Sequence, residues 1–382
     1  MRITWITRSF LDYRIPVYAE LNNLCGGNMT LIYNADVVPS RVSEKLASFS
    51  GLTIKPLRGE MRLSGKEKDN QSFANSGLRV PYQPDLIHQV KQSRPDVVIS
   101  DGFFQWTYAA LYMRMIHRVP HVMCYERTKY TERNAGFVRT LYRKLAMRYI
   151  DAIDANGVLT GEYLESLGYS SDKITYGHMV ADVSGMRAAT TMVANESVSD
   201  LKKSLGLRDV IFLYVGQIIP RKGVLELINA WRHAELDDAS LVLVGDGNYR
   251  GQLEEMNIPN VVFVGAVDYD SLAPYYAMAN CFIIPTLEDN WSLVVPEAMA
   301  CGLPIACSCY NGCYPELVKS ENGWVFDPLN LDSTVYTLQQ VAAKRSELKS
   351  MGNASRQIVS RYTPETAAQS IWEACQIAIK KH

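Results

Sequence analysis

An excess of charge of either sign is missing from this chain. Its 382 residues carry 39 Lys and Arg against 40 Asp and Glu, a formal net charge of −1. No global field draws such a chain to nucleic acid, so any anion it recognises must be met by a local group of cations. Long apolar runs are missing too. Uncharged stretches such as Ser271 to Leu287 are broken by Pro274 and Pro285, which excludes a membrane-spanning helix there. The opening Met-Arg-Ile-Thr-Trp-Ile enters a strand at once, so no signal peptide is expected. A metal-ligating cysteine pattern is lacking as well. Cys307, Cys309 and Cys313 read C-x-C-x3-C with no fourth ligand and no recognisable zinc spacing, so they are expected to be small buried residues under a loop. With eight cysteines mostly in apolar segments, reduced thiols in a cytoplasmic protein are expected.

What is present is length and alternation. A chain of 382 residues exceeds one ordinary core and predicts two domains. In the first half, strands are expected at Ile3–Thr7, Met29–Tyr33, Leu52–Pro56, Val97–Ser100, His121–Tyr125 and Ala152–Val158, with helices at Pro16–Leu24 and Phe103–Met115. Residues 59–78 are polar and aperiodic and read as a loop. Small and polar residues dominate 184–200, the expected linker. The alternation then restarts, with strands at Val210–Val215, Leu241–Val244, Val261–Val264 and Cys281–Ile284 and helices at Val224–His233 and Leu272–Ala279. This pattern predicts an α/β protein of two parallel sheets: a first domain at 1–183, a second at 201–362, and a last helix from Thr363-Pro364-Glu365 packing back on the first.

Two strand–loop–helix junctions carry chemistry. After Cys281–Ile284 comes Pro285-Thr-Leu-Glu-Asp-Asn-Trp-Ser292 and a helix in which Ser292 is expected to cap the free N–H groups. Asp289 lies before that helix and Glu297 is placed at the end of its second turn. Carboxylates beside an anion-binding helix start suit a ligand with many hydroxyls next to a diphosphate. The alternative is ordinary acidic decoration of a helix N-terminus. After Val210–Val215 comes Gly216-Gln-Ile-Ile-Pro-Arg-Lys-Gly223, where Gly216 admits a close ligand and Arg221 and Lys222 can clasp a diphosphate. Leu241-Val-Leu-Val-Gly-Asp-Gly resembles a dinucleotide fingerprint, but its third glycine comes one residue late and its helix is very short, which argues against a dehydrogenase.

The order of these pieces resembles the donor domain of retaining, family-4-type glycosyltransferases of the GT-B fold (glycosyl transferases group 1). The resemblance runs from Val210 to Pro328: Val-Gly…Arg-Lys-Gly, Leu-Val-Gly-Asp-Gly, Val-Phe-Val-Gly, Pro-Thr with an acidic loop and Glu-Ala-Met-Ala-Cys-Gly-Leu-Pro, then Glu316…Asn-Gly-Trp-Val-Phe-Asp-Pro. It implies two Rossmann-like domains facing across a cleft, acceptor domain first and nucleotide-sugar domain second. It also implies transfer of a hexose from a nucleoside diphosphate sugar, UDP-linked rather than GDP-linked, to a glycan or lipid-linked hydroxyl in envelope polysaccharide synthesis. Configuration would be retained, with no metal and no other cofactor, in line with the lack of a D-x-D-type motif in a suitable loop. The alternative is a nucleotide-sugar-binding protein that does not transfer.

By resemblance, Glu297 accepts from the donor ribose, Asp289 holds sugar hydroxyls with Glu288 adjacent as a stand-in, the amides of Ser292 and Leu293 meet phosphate, and Arg221 and Lys222 neutralise the leaving diphosphate. Asp289 stands where the family has glutamate, and Gln217 where it commonly has arginine. The first half departs further. Thr7-Arg-Ser-Phe-Leu-Asp-Tyr-Arg-Ile-Pro16 replaces a glycine pair, leaving Arg8 and Arg14 as candidate acceptor-binding cations, and Glu126 replaces a histidine near the sugar. Glu126 is read as a catalytic carboxylate stabilising developing positive charge, or else as a partner for Arg127. Finally, Val138, Leu141, Tyr142, Leu145 and Tyr149 form one helical stripe with Arg139, Arg143, Lys144 and Arg148 off it. The stripe is expected to face the core, with the cations available to an anionic membrane at the inner face.

Overall fold

The computed structural model describes residues 1–49, 51–64 and 80–380. The described residues form two compact units, one built from those up to Val180 with the segment from Tyr362, the other from residues 181–361.

In the first unit the strands are β1 (Ile3–Thr7), β2 (Met29–Asn34), β3 (Thr53–Leu57), β4 (Met61–Ser64), β5 (Val80–Tyr82), β6 (Val97–Asp101), β7 (His121–Tyr125), β8 (Ala152–Ala155) and β9 (Ile174–Tyr176). Seven of them make a sheet in the order β3-β2-β1-β6-β7-β8-β9, parallel throughout. Because helices cover both faces, β1 and β7 are buried at every position, Thr4, Thr7 and His121 included. One face packs Trp5 edge-on to Tyr18 of the helix Arg14–Leu24, ring centres 4.9 Å apart. That helix in turn packs on the helix Pro364–Lys380. Ser370 of the latter donates to Asp154 of β8. The buried Asp154 carboxylate also accepts from Thr175 Oγ1 at 2.8 Å and from His178 N at 3.1 Å.

Three expectations need correction here. The helix expected from Phe103 begins at Thr107, because Phe103 turns into the core against Tyr125, 5.0 Å between ring centres. Val158 does not end a strand but opens the helix Val158–Ser166. Within the polar stretch 59–78, β4 pairs antiparallel with β5, and residues 65–78 lie outside the described residues.

In the second unit β10 (Val210–Val215), β11 (Ala239–Val244), β12 (Val261–Gly265), β13 (Cys281–Ile284), β14 (Ile305–Ser308) and β15 (Gly323–Phe326) form a sheet in the order β12-β11-β10-β13-β14-β15, again parallel. The stretch 184–200, expected as a linker, is largely helical. Helices Val183–Thr191 and Asn195–Ser204 pack on the helix Ala273–Met278. Its polarity has a simple cause: Asn195–Ser204 buries no residue, and only Met186 of Val183–Thr191 is buried. Asp182 caps the first of these helices, accepting from Gly185 N at 2.8 Å.

Candidate functional site

Strand order sets the site. In the second unit the chain winds outward from β10 through β11 and β12, then returns to place β13 on the other side of β10. The connections leaving β10 and β13 therefore run to opposite faces and open a crevice at the carboxyl edge, the usual ligand position in such sheets. The two motifs singled out by sequence are the segments leaving these two strands.

They are fastened together by backbone. Leu287 N and Thr286 Oγ1 both donate to Arg221 O, at 2.9 and 3.2 Å. Gly223 adopts φ +68°, and a Cβ there would stand 2.0 Å from Pro285 O, so only glycine fits. Arg221 and Lys222 occupy a single 3-10 turn, Pro220–Lys222, between these fastenings. Lys222 is turned inward and pairs with Asp289, both side chains largely buried. Arg221 is half-buried and makes no ion pair among the described residues.

Asp289 is the hub. It takes Lys222 and Ser292 Oγ (2.7 Å) on Oδ2 and Trp291 N (3.2 Å) on Oδ1. Its backbone accepts from Gly312 N at 3.0 Å, tying the loop to the segment after β14. Burial alone would raise the Asp289 carboxyl, but Lys222, Ser292 and Arg221 together outweigh it and hold the group below its ordinary value. Ser292 thus serves Asp289 and does not cap the helix, which begins at Val294 with no side-chain cap. Leu293 is the half-buried residue before the first turn.

Because the helix starts at Val294, Glu297 lies in its first turn instead of the second. It is 7% exposed and accepts from Tyr276 Oη at 3.3 Å. Its carboxyl stands at about 7, raised chiefly by burial, against the lowering hydrogen bonds from Tyr276 and Tyr269 and with a smaller push upward from Asp182. Glu288 is buried beside Asp289, and its carbonyl accepts from Thr286 Oγ1 at 3.3 Å. Asp182, Tyr269 and Tyr276 were not found from sequence; no local pattern marks residues that meet only through the fold.

The glycines between β11 and the next helix have a structural explanation. A Cβ on Gly245 would lie 1.8 Å from Gly216 O, and one on Gly247 2.2 Å from Ile218 O. What comes close to Gly216 in this structure is the neighbouring loop's backbone, so the G-x-G pair serves loop packing. All eight cysteines are free thiols and only Cys309 is not fully buried. Among the described residues no group of three or more His, Cys, Asp or Glu is placed to hold a metal ion.

In the first unit Glu126 follows β7 and is half-buried. Arg127 reaches Glu132 at 3.6 Å, so the expected alternative, an Arg127–Glu126 pair, is not formed. Arg8 is not a solvated loop cation: Glu60 grips it at 2.7 Å, and the same carboxylate accepts from Trp106 Nε1 at 2.7 Å. Arg14 opens a helix, buried, with its guanidinium 5.6 Å above Trp5 and 3.8 Å from Asp101. Asp101 ends β6 at this sheet's own reversal point beside β1, a position that Val-Val-Ile-Ser-Asp101 signals and that the sequence reading passed over.

The family model for glycosyl transferases group 1 matches residues 198–358. An uncharacterized glycosyltransferase of Methanocaldococcus jannaschii is 30% identical over 196 residues, 48% of this chain and 50% of that one. The sulfoquinovosyl transferase of Arabidopsis thaliana is 25% identical over 308 residues, covering 77% of this chain and 59% of that one. The chain thus spans about half the length of the curated relatives it matches. Among solved structures, Anabaena HepE in complex with UDP is similar with a TM-score of 0.73 at 16% identity, covering 98% of this chain and 99% of that one. A glycosyltransferase from Rickettsia africae gives 0.75 at 12% identity, covering 100% and 99%. With the sheet order, these likenesses give two Rossmann-like units of the GT-B type, and residues 198–358 of the second are similar to glycosyl transferases group 1.

Proposed function

We propose that the protein transfers a hexosyl group from a nucleoside diphosphate sugar, UDP-linked in preference to GDP-linked, to a hydroxyl of a glycan or lipid-linked acceptor, with retention of configuration. The observation that carries this reading is the Lys222–Asp289 pair at the reversal point of the second sheet, flanked by Arg221 and by a buried acid, Glu297. On this reading the diphosphate takes over Lys222 and engages Arg221, which releases Asp289 for the sugar hydroxyls. Glu297 receives the ribose, and the amides of Ser292 and Leu293 lie toward the phosphates. Fixed lysine and arginine charge then meets the oxygen that becomes anionic as the glycosidic bond breaks. Glu126 is assigned to the developing positive charge on the sugar.

Two likenesses support the donor class: HepE is seen with UDP and with UDP-glucose. An acceptor in envelope glycans is supported by a lipopolysaccharide N-acetylglucosaminetransferase of Salmonella typhimurium among the relatives. The test is a thermal-shift screen of UDP, GDP, ADP and their sugars, followed by incubation with the best donor. Stabilisation by UDP and its sugar, with slow release of free sugar to water, is expected. Binding with an intact donor would leave a nucleotide-sugar binder, and stabilisation by a nicotinamide dinucleotide alone would overturn the assignment.

A further inference from the structure

The helix Phe137–Ala146 is turned inside out. Amphipathic helices on globular proteins bury their apolar stripe, and that orientation was expected here. Instead Phe137 and Val138 are 79% and 76% exposed, and Leu141 and Leu145, four and eight residues beyond Phe137, are 43% and 46% exposed. What the helix buries is a cation. Arg143 is 2% exposed, pairs with Glu132 and donates to Tyr163 Oη at 3.0 Å. Tyr142 adds a second anchor, donating to Phe103 O at 3.3 Å with its ring 5.0 Å from that of Phe104. These contacts fix the rotation of the helix and leave the apolar residues facing outward.

The exposed arc has a charge of one sign. Lys144 and Arg148 are exposed, lie three and seven residues past Leu141 on the edge of the same arc, and make no ion pair among the described residues. From Phe137 to Tyr149 the sequence FVRTLYRKLAMRY contains no acid. Four large apolar side chains with cations along one margin complement a surface that is apolar inside and anionic outside. A second copy of this chain fits poorly, because a two-fold pairing of this face brings the same cations toward each other.

We propose that the first unit docks on an anionic lipid bilayer through this helix, Phe137, Val138, Leu141 and Leu145 entering the interface and Lys144 and Arg148 meeting the lipid phosphates. The inference is independent of the donor-site reading, since it needs neither nucleotide nor turnover. It is tested with the full chain by sedimentation with vesicles of phosphatidylcholine alone or with about one-third phosphatidylglycerol. Binding to the mixed vesicles is expected to be about tenfold tighter than to phosphatidylcholine and to weaken as salt is raised. Phe137→Ser/Leu141→Ser should lower binding to both compositions about tenfold or more. Lys144→Glu/Arg148→Glu should remove the preference for the anionic vesicles. All four positions are exposed, so the variants should melt as the parent does. The proposal is overturned if the parent chain stays in the supernatant, or if parent and variants partition equally. It is also overturned if the protein is a dimer that the serine variants dissociate without change in vesicle binding.

Discussion

Lys222 and Asp289 lie 67 residues apart in the chain and form an ion pair that links the loops leaving two neighbouring strands. The pair holds Asp289 ionised inside a largely buried loop and holds Lys222 away from solvent. Lys222→Met removes the cation and leaves a buried carboxylate short of a partner, so a stability loss of about 2–3 kcal/mol is expected in urea unfolding. Calorimetric UDP affinity should fall about tenfold or more, since a phosphate contact goes with it. Adding Asp289→Asn should restore most of the stability but none of the affinity. Recovery of both would mean that the lysine serves the loop alone.

Glu297 gives the site a pH signature with a definite sign. Its folded-state value, about 7, stands above the ordinary 4.5, so the folded chain holds this proton more tightly than the unfolded one. Stability from this group is complete below about pH 4.5 and is lost as pH rises to about 7, by roughly 1–3 kcal/mol. Glu297→Gln has no proton to release, and its stability should be flatter over that window. Nucleotide binding moves the other way. A ribose hydroxyl donates best to the ionised carboxylate, so UDP affinity should improve from about pH 6 to about pH 8 in the parent and stay level in the variant. An affinity profile unchanged by the substitution would remove Glu297 from the ribose.

How much of this was legible beforehand depended on the range of the interactions involved. β7, β10 and β13 match their expected bounds because each is an apolar run closed by a charged, glycine or proline residue. The placing of Arg221, Lys222, Asp289 and Glu297 on two connections of one sheet followed from the same alternation. What was not legible was rotation and partner choice. The orientation of the helix Phe137–Ala146 is decided by Glu132, Tyr163 and Phe103, none of which lies within it. Ser292 had two hydrogen-bonding options of similar local merit, and Asp289, folded back by its turn, took the hydroxyl. Arg14 looked like a loop cation until the helix began two residues ahead of the expected Pro16 and carried it under Trp5 and Asp101.

Gly223 tests whether the alignment of the two loops matters to binding. Alanine at this position meets both a left-handed backbone, φ +68°, and the Pro285 carbonyl at 2.0 Å. Neither the carbonyl nor the 3-10 turn can yield without moving Arg221 O off its two donors. Gly223→Ala is expected to cost about 2–4 kcal/mol and to weaken UDP binding even at temperatures where the chain stays folded. Gly206 has a similar left-handed backbone, φ +62°, with nothing within 4 Å of an added Cβ. Gly206→Ala should cost less than half as much and leave UDP binding unchanged, and equal losses would show that left-handed strain in general, not the Gly223–Pro285 contact, governs the effect.

Glu126 separates binding from chemistry. It follows β7 half-buried, and its neighbour Arg127 is directed to Glu132, so the carboxylate is not consumed by the adjacent cation. Its charge also acts on Tyr13, whose hydroxyl is raised first by burial and further by Glu126. If the carboxylate faces charge that develops only as the glycosidic bond breaks, its removal raises the barrier without touching the ground state. Glu126→Gln keeps size and hydrogen bonding while deleting the charge. Turnover should drop about a hundredfold or more, with the UDP dissociation constant and the melting temperature unchanged. The two parameters are read from initial rates at saturating donor and from calorimetry on the same preparation. A loss of nucleotide affinity as large as the loss in turnover would assign Glu126 to uniform binding, and an unchanged rate would place it outside the reaction.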